Sequence, residues 1–133
     1  MRLRRSLSLA AAAAATLTGF SVAMAPAAHA NGYVQTYSSV PKGGYGIVDL
    51  SSTQSFYACD YGGADGLRVV GHIWPQGHSY RWVQDANGSN NGCGSAIQLN
   101  LPIGTHYTMQ ACLRDGPGGL DDYCRTEEGV IYT

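Results

Sequence analysis

The chain has 133 residues, with eight Lys or Arg against nine Asp or Glu and a formal net charge of −1. Residues 1–30 hold three of the basic groups and none of the acidic ones, so the remaining 103 residues carry five basic and nine acidic side chains, a net charge of −4. One acidic domain of that size with scattered cations sets aside nucleic acid and anionic membrane surfaces as partners.

The opening stretch "MRLRRSLSLAAAAAATLTGFSVAMAPAAHA" places three arginines before an alanine-rich apolar run and closes on Ala28-His29-Ala30. This is the n-region, h-region and A-x-A pattern of a secretory signal peptide, with cleavage expected before Asn31. The run is short, broken by Thr and Gly, and poorly suited to a retained anchor. Arg4-Arg5 also fits a twin-arginine signal, but no later motif demands a cofactor loaded before export, so general secretion is preferred. The expectation is a signal peptide over 1–30 and a single secreted domain over 31–133, extracellular and free of the membrane after cleavage.

Beyond residue 30, glycine punctuates short segments rich in Tyr, Val, Ile and Thr. The predicted strands are "GYVQTYS", "YGIVDL", "SFYACD", "LRVVGHIW", "SYRWVQDA", "AIQLNL", "HYTMQACLRD" and "EGVIYT". They are separated by turn-forming stretches such as "PKGG", "PQG", "PIGT" and "GPGGLDD". Alternation of this kind without an amphipathic helix predicts an all-β protein: a small immunoglobulin-like β-sandwich of seven to eight short antiparallel strands. Cys59, Cys93, Cys112 and Cys124 all lie in the exported part, and an even count there reads as two disulfides. Three pairings are open. Cys112–Cys124 is preferred because it would clamp the strands flanking "LRDGPGGLDDY", which leaves Cys59–Cys93.

The stretch "HIWPQGHSYRWVQDANG" concentrates the aromatic residues. With "PQG" at the tip, Trp74 faces Ser79, His72 faces Arg81 and Gly71 faces Trp82. Side-chain alternation then sends Val69, Ile73, Tyr80 and Trp82 into the core and leaves His72, Trp74 and Arg81 on the wetter face. A slip of one residue would reverse both assignments. An exposed Trp74 beside His and Arg could stack on a sugar ring or anchor a protein interface; the plainer reading is a Trp74–Arg81 stack that steadies the hairpin.

Metal and catalytic signals are weak. Asp85, Asn87, Ser89 and Asn91 alternate like the early ligands of a calcium loop, but Asn90 stands where Gly is needed and Ala96 where a bidentate Glu is needed. Asp115, Asp121 and Asp122 bracket a glycine turn and read as solvated loop carboxylates. His72, His78 and His106 lack zinc spacing. No nucleophile elbow or metalloprotease helix is present. No catalytic residue, metal or cofactor is therefore assigned. The "NGS" at 87–89 matches a glycosylation sequon.

The segments "YACDYGGADGLRVVG", "DANGSNNGC", "LPIGTHYTMQACLRDG" and "DDYC" resemble small secreted, disulfide-bonded β-sandwich proteins of actinobacteria of the streptomycete type, a group mostly uncharacterised. The resemblance implies no activity. It carries over Cys59, Asp60, Ala64, Asp65, Gly66, Cys112 and Cys124 as framework, with a turn at Asp65-Gly66 and a side-chain cap from Asp60. "SYRW" also holds, reversed, the Trp-Arg-Tyr triplet that secreted α-amylase inhibitors display on a hairpin, although the cysteine spacing differs.

The expected function is a non-catalytic binding or inhibitor module contacting an extracellular protein or polysaccharide through Trp74, His78 and Arg81, with Tyr61 from a neighbouring loop. The alternatives are a small hydrolase using His72 or His106 with a carboxylate, and a surface or matrix component with no specific ligand.

Overall fold

A computed structural model describes residues 31–37, 45–62, 66–88 and 92–133. The expected signal segment, Ala64, Asp65, Ser89, Asn90 and Asn91 lie outside these described residues. Among the described residues eight strands form: β1 (Gly32–Tyr37), β2 (Tyr45–Leu50), β3 (Ser55–Asp60), β4 (Leu67–Pro75), β5 (Arg81–Asp85), β6 (Ile97–Gln98), β7 (His106–Asp115) and β8 (Asp121–Val130). They make two four-stranded antiparallel sheets, β1-β2-β3-β6 and β5-β4-β7-β8, packed as a β-sandwich.

The core lies between the sheets and comes from alternate positions of each strand. Val48, Leu50, Phe56 and Ala58 face Val69, Ile73, Met109, Ala111 and Leu113, all at most 1% exposed. Two glycines let the layers interlock. A Cβ at Gly46 of β2 would overlap Val69 of the opposite sheet, and one at Gly71 of β4 would lie 2.7 Å from Val48 Cγ1. Each sheet thus offers a valine to a gap left by the other's missing side chain.

Both disulfides follow the preferred pairing. Cys59 bonds Cys93, tying β3 to the loop before β6, and Cys112 bonds Cys124 across the β7–β8 pair. Loops of 34 and 12 residues correspond to about 3–4 kcal/mol of stabilisation each in the chain-entropy view. Asp60 Oδ1 accepts a hydrogen bond from Gly62 N, two residues on, at 3.0 Å; the turn expected at Asp65-Gly66 lies partly outside the described residues, with Gly66 at φ +82°. Asp85, placed in a calcium-like loop by its spacing, is instead the fully buried last residue of β5. Its carboxylate accepts from the backbone N–H groups of Asp60 and Asn87, at 2.8 and 3.3 Å.

Three elements depart from expectation. The strand expected over 96–101 shrinks to two residues, because Gln54 replaces the ladder there. Its side chain accepts from Leu101 N and donates to Leu101 O, while Leu99 N donates to Gln54 O. The last strand starts seven residues earlier than "EGVIYT", at Asp121. Its largely exposed, polar sequence hides it from hydrophobic periodicity, since an edge strand needs only one ladder and a few anchors.

The third departure is the hairpin register. Gly71 pairs with Val83 and His72 with Trp82, one residue off the expected alignment. The connection runs from Gln76 to Tyr80, with His78 N bonded to Pro75 O and Gly77 at φ +77°. The gap at Gly71 therefore accommodates Val48 rather than the Trp82 ring. Tyr80 and Trp82, expected in the core, are 45% and 48% exposed.

Gly71→Ala should cost about 1–3 kcal/mol through overpacking against Val48. Gly118→Ala, which meets nothing within 4 Å, should stay within about 0.5 kcal/mol of wild type. Urea denaturation of both variants checks this, and equal midpoints would refute the interlock.

Candidate functional site

The outer face of the β5-β4-β7-β8 sheet gathers three of the exposed aromatics. Trp74 projects from β4, Trp82 from β5 and Tyr80 from the residue preceding β5. The three are 44–48% exposed. Trp74 stacks on Tyr80 with ring centroids 5.4 Å apart, and the His72 ring lies 5.7 Å from Trp74 and 5.9 Å from Tyr80, with interplanar angles of 16–28° for the set. Large apolar rings left on one face of a sheet in contact with one another mark an interaction surface more strongly than scattered ones do.

A polar chain beneath holds the platform. His72 is only 7% exposed. Its Nε2 lies 2.8 Å from Asp121 Oδ2, and its Nδ1 lies 2.6 Å from the Tyr80 hydroxyl. Arg114 Nε donates to Asp121 Oδ1 at 2.6 Å. An ionised carboxylate only accepts, so His72 Nε2–H donates to Asp121, while Nδ1 is paired with the Tyr80 hydroxyl. Burial by itself would raise the Asp121 carboxyl, but the hydrogen bond and charge of Arg114, with His72, hold it below its ordinary value. Burial, then the Asp121 charge, pushes the Tyr80 hydroxyl up, partly offset by Arg114. Asp121 is thus a structural anchor with a side chain 25% exposed, not the solvated loop carboxylate its glycine-rich neighbourhood implied. Asp122 accepts from Tyr123 N beside it.

This cluster also brings His72, Cys112 and Asp121 donor atoms within 4.8 Å of one another. The Cys112 sulfur is bonded to Cys124, and both His72 nitrogens are engaged, so these three do not offer a free ligand set for a metal. The His–carboxylate pair that a hydrolase needs is present. Its second nitrogen is paired with the Tyr80 hydroxyl, so both ring nitrogens are held within the cluster.

The structure distributes the expected ligand-contacting residues over three places. Trp74 stands on the aromatic platform. Arg81 pairs with Ile73 in register, on the opposite side of its strand from Trp82. It lines a cleft of about 140 Å³ with His78, Pro75, Ser79, Leu99, Asn100 and Leu101. "SYRW" therefore shows Tyr80 and Trp82 on one face and Arg81 on the other, and Trp74 stacks on Tyr80 and His72 rather than on Arg81. Tyr61 follows β3 at the end of the other sheet, 5.8 Å from the Tyr45 ring. Nearby, burial and then Asp49, which accepts the Tyr57 hydroxyl at 2.9 Å, push Tyr57 up to about 12.

Two grooves flank the platform. One, of about 580 Å³, runs from Trp74 past Gln76, His106, Thr108 and Glu128 to Tyr132. The other, of about 470 Å³, borders Trp82, Gln84, Asn87 and Ser95. The platform residues Tyr80 and Trp82 and the anchor Asp121 escaped sequence reasoning because of the register and the unrecognised edge strand. One signal for the anchor was legible: Arg114 and Asp121 flank a glycine-rich turn, where a hairpin would set opposite charges across from each other.

Against known proteins, no family model matches the chain, and no curated protein or solved structure matches it.

The depressed Asp121 carboxyl makes a pH prediction. Its contribution is fully present above the unfolded carboxylate value of about 3.9 and is lost as pH falls through the lower folded value. The difference in Tm between wild type and Asp121→Asn should therefore be largest near neutral pH and shrink in the acid range below about pH 4. A gap independent of pH would contradict the ion-pair account.

Proposed function

We propose that the protein is a secreted, non-catalytic binding module whose ligand is an extracellular polysaccharide lying across the outer face of the β5-β4-β7-β8 sheet. The observation that carries this reading is the solvent-facing, mutually stacked pair Trp74 and Tyr80, backed by the buried His72 ring and continued by Trp82. A rigid aromatic platform presents broad π faces to the C–H faces of pyranose rings at little conformational cost. Amide and hydroxyl groups of Gln76, Thr108, Gln84 and Asn87 in the flanking grooves suit the hydroxyls at the edges of such rings. The grooves, one beside Trp74 and one beside Trp82, fit a ligand longer than a single sugar.

Two disulfides are more typical of extracellular proteins. The signal-like first 30 residues and the resemblance to secreted actinobacterial proteins support export from such an organism. Relative to the expected hairpin-tip site, this reading keeps Trp74, replaces His78, Arg81 and Tyr61 with Tyr80 and Trp82, and favours a glycan over a protein partner.

Affinity electrophoresis through gels cast with soluble polysaccharides tests it. Retardation by at least one glycan is expected, with Trp74→Ala and Trp82→Ala each weakening binding about tenfold or more. Unretarded migration in every gel, or retardation untouched by both variants, would overturn the reading. The exposure itself is checked by acrylamide quenching: Trp74→Phe and Trp82→Phe should each leave one strongly quenched tryptophan.

A further inference from the structure

The groove beside Trp74 differs from the rest of the face in its electrostatics. Trp74 and Tyr132 form aromatic walls, 44% and 67% exposed, and Glu128 contributes a carboxylate to the same groove. Among the described residues no Lys or Arg lines it. Among the described residues no ion pair engages Glu128, whereas Asp121 on the same sheet has its charge answered by Arg114. Tyr132 is held in position by its backbone N–H, which donates to the buried Asn31 Oδ1 at 2.9 Å, and by the neighbouring Ile131 in the core. Thr108, paired in register with Glu128 across β7 and β8, adds a hydroxyl.

We propose that this groove is an ammonium-selective subsite of the glycan face, taking the free amine of an amino-sugar residue. The inference rests on the polysaccharide reading and narrows it to deacetylated amino-sugar polymers. An ammonium gains twice here: from the quadrupoles of the two aromatic walls and from a charge-assisted hydrogen bond to Glu128. A neutral sugar draws on neither charge term. A uronic acid or sulfated sugar meets an unpaired carboxylate on a domain of net charge −4 outside residues 1–30 and is repelled. His106 is the other titratable side chain facing the groove besides Tyr107 and Tyr132, and when protonated it opposes an ammonium. The comparison of ligands is therefore made at one fixed pH, low enough for the sugar amines to be protonated.

Calorimetric titration with a glucosamine hexamer and its fully N-acetylated counterpart, which share a backbone and differ in charge, tests the assignment. Wild type should favour the deacetylated hexamer by about five- to tenfold, with the preference falling as salt is raised. Glu128→Gln should abolish the preference, and circular dichroism should show the variant folded, since Glu128 is exposed on an edge strand. Equal affinity for both hexamers in wild type, or a preference that survives in Glu128→Gln, overturns the subsite. So does a lysine hexapeptide that binds as tightly as the glucosamine hexamer, because the groove would then read charge rather than an amino sugar. If both hexamers bind alike and Trp74→Ala weakens both, only the ammonium inference fails. If no glycan binds at all, the polysaccharide reading fails with it.

Discussion

The reciprocal fit of Val69 over Gly46 and Val48 over Gly71 sets the relation between the two sheets, and much of the surface follows from it. Val48 occupies the space above Gly71, so the inner face of β4 is defined as Val69, Gly71 and Ile73. The pairing of Gly71 with Val83 then sends Val83 inward beside them and turns Trp82 outward. With a strand period of two, the alignment that would bury Trp82 has to bring a large ring against the place Val48 already fills. The core excludes the aromatic residues of β5, and they become the outer face.

That exposure carries a cost in apolar surface left in water, and the structure spends polar interactions to keep the rings ordered. Tyr80, His72, Asp121 and Arg114 form one continuous chain from the β4–β5 hairpin to the β7–β8 hairpin. It crosses the sheet under the aromatic platform and fixes the His72 ring against which Trp74 and Tyr80 stack. The Cys112–Cys124 bridge pins the same two strands that carry Arg114 and Asp121. Covalent, ionic and stacking constraints converge on one face. A preorganised surface of this kind loses little entropy when a ligand arrives.

The edge strand β8 shows why part of the site was hard to read. Its sequence "DDYCRTEEGV" has no apolar alternation, because its backbone pairs only with β7 and most of its side chains meet solvent. The residues that matter there act one at a time: Asp121 as an anchor, Cys124 as a bridge, Glu128 as a groove carboxylate. Periodicity detects burial on a repeating face and is blind to such isolated roles. The hairpin failed for a different reason. Its strands were correctly located, but a connection one residue longer than assumed inverted the face of Tyr80 and Trp82.

Local chemistry in the chain was sufficient for the all-β class, most strand positions and the preferred disulfide pairing. These depend on side-chain alternation, turn residues and short-range hydrogen bonds, all of which are written along the sequence. The tertiary structure alone decided which aromatics face the solvent and that Arg81 and His78 part company with Trp74. It also joined His72 to Asp121, 49 residues away. Those outcomes depend on packing between sheets and on register, and both are set by contacts between residues far apart in the chain.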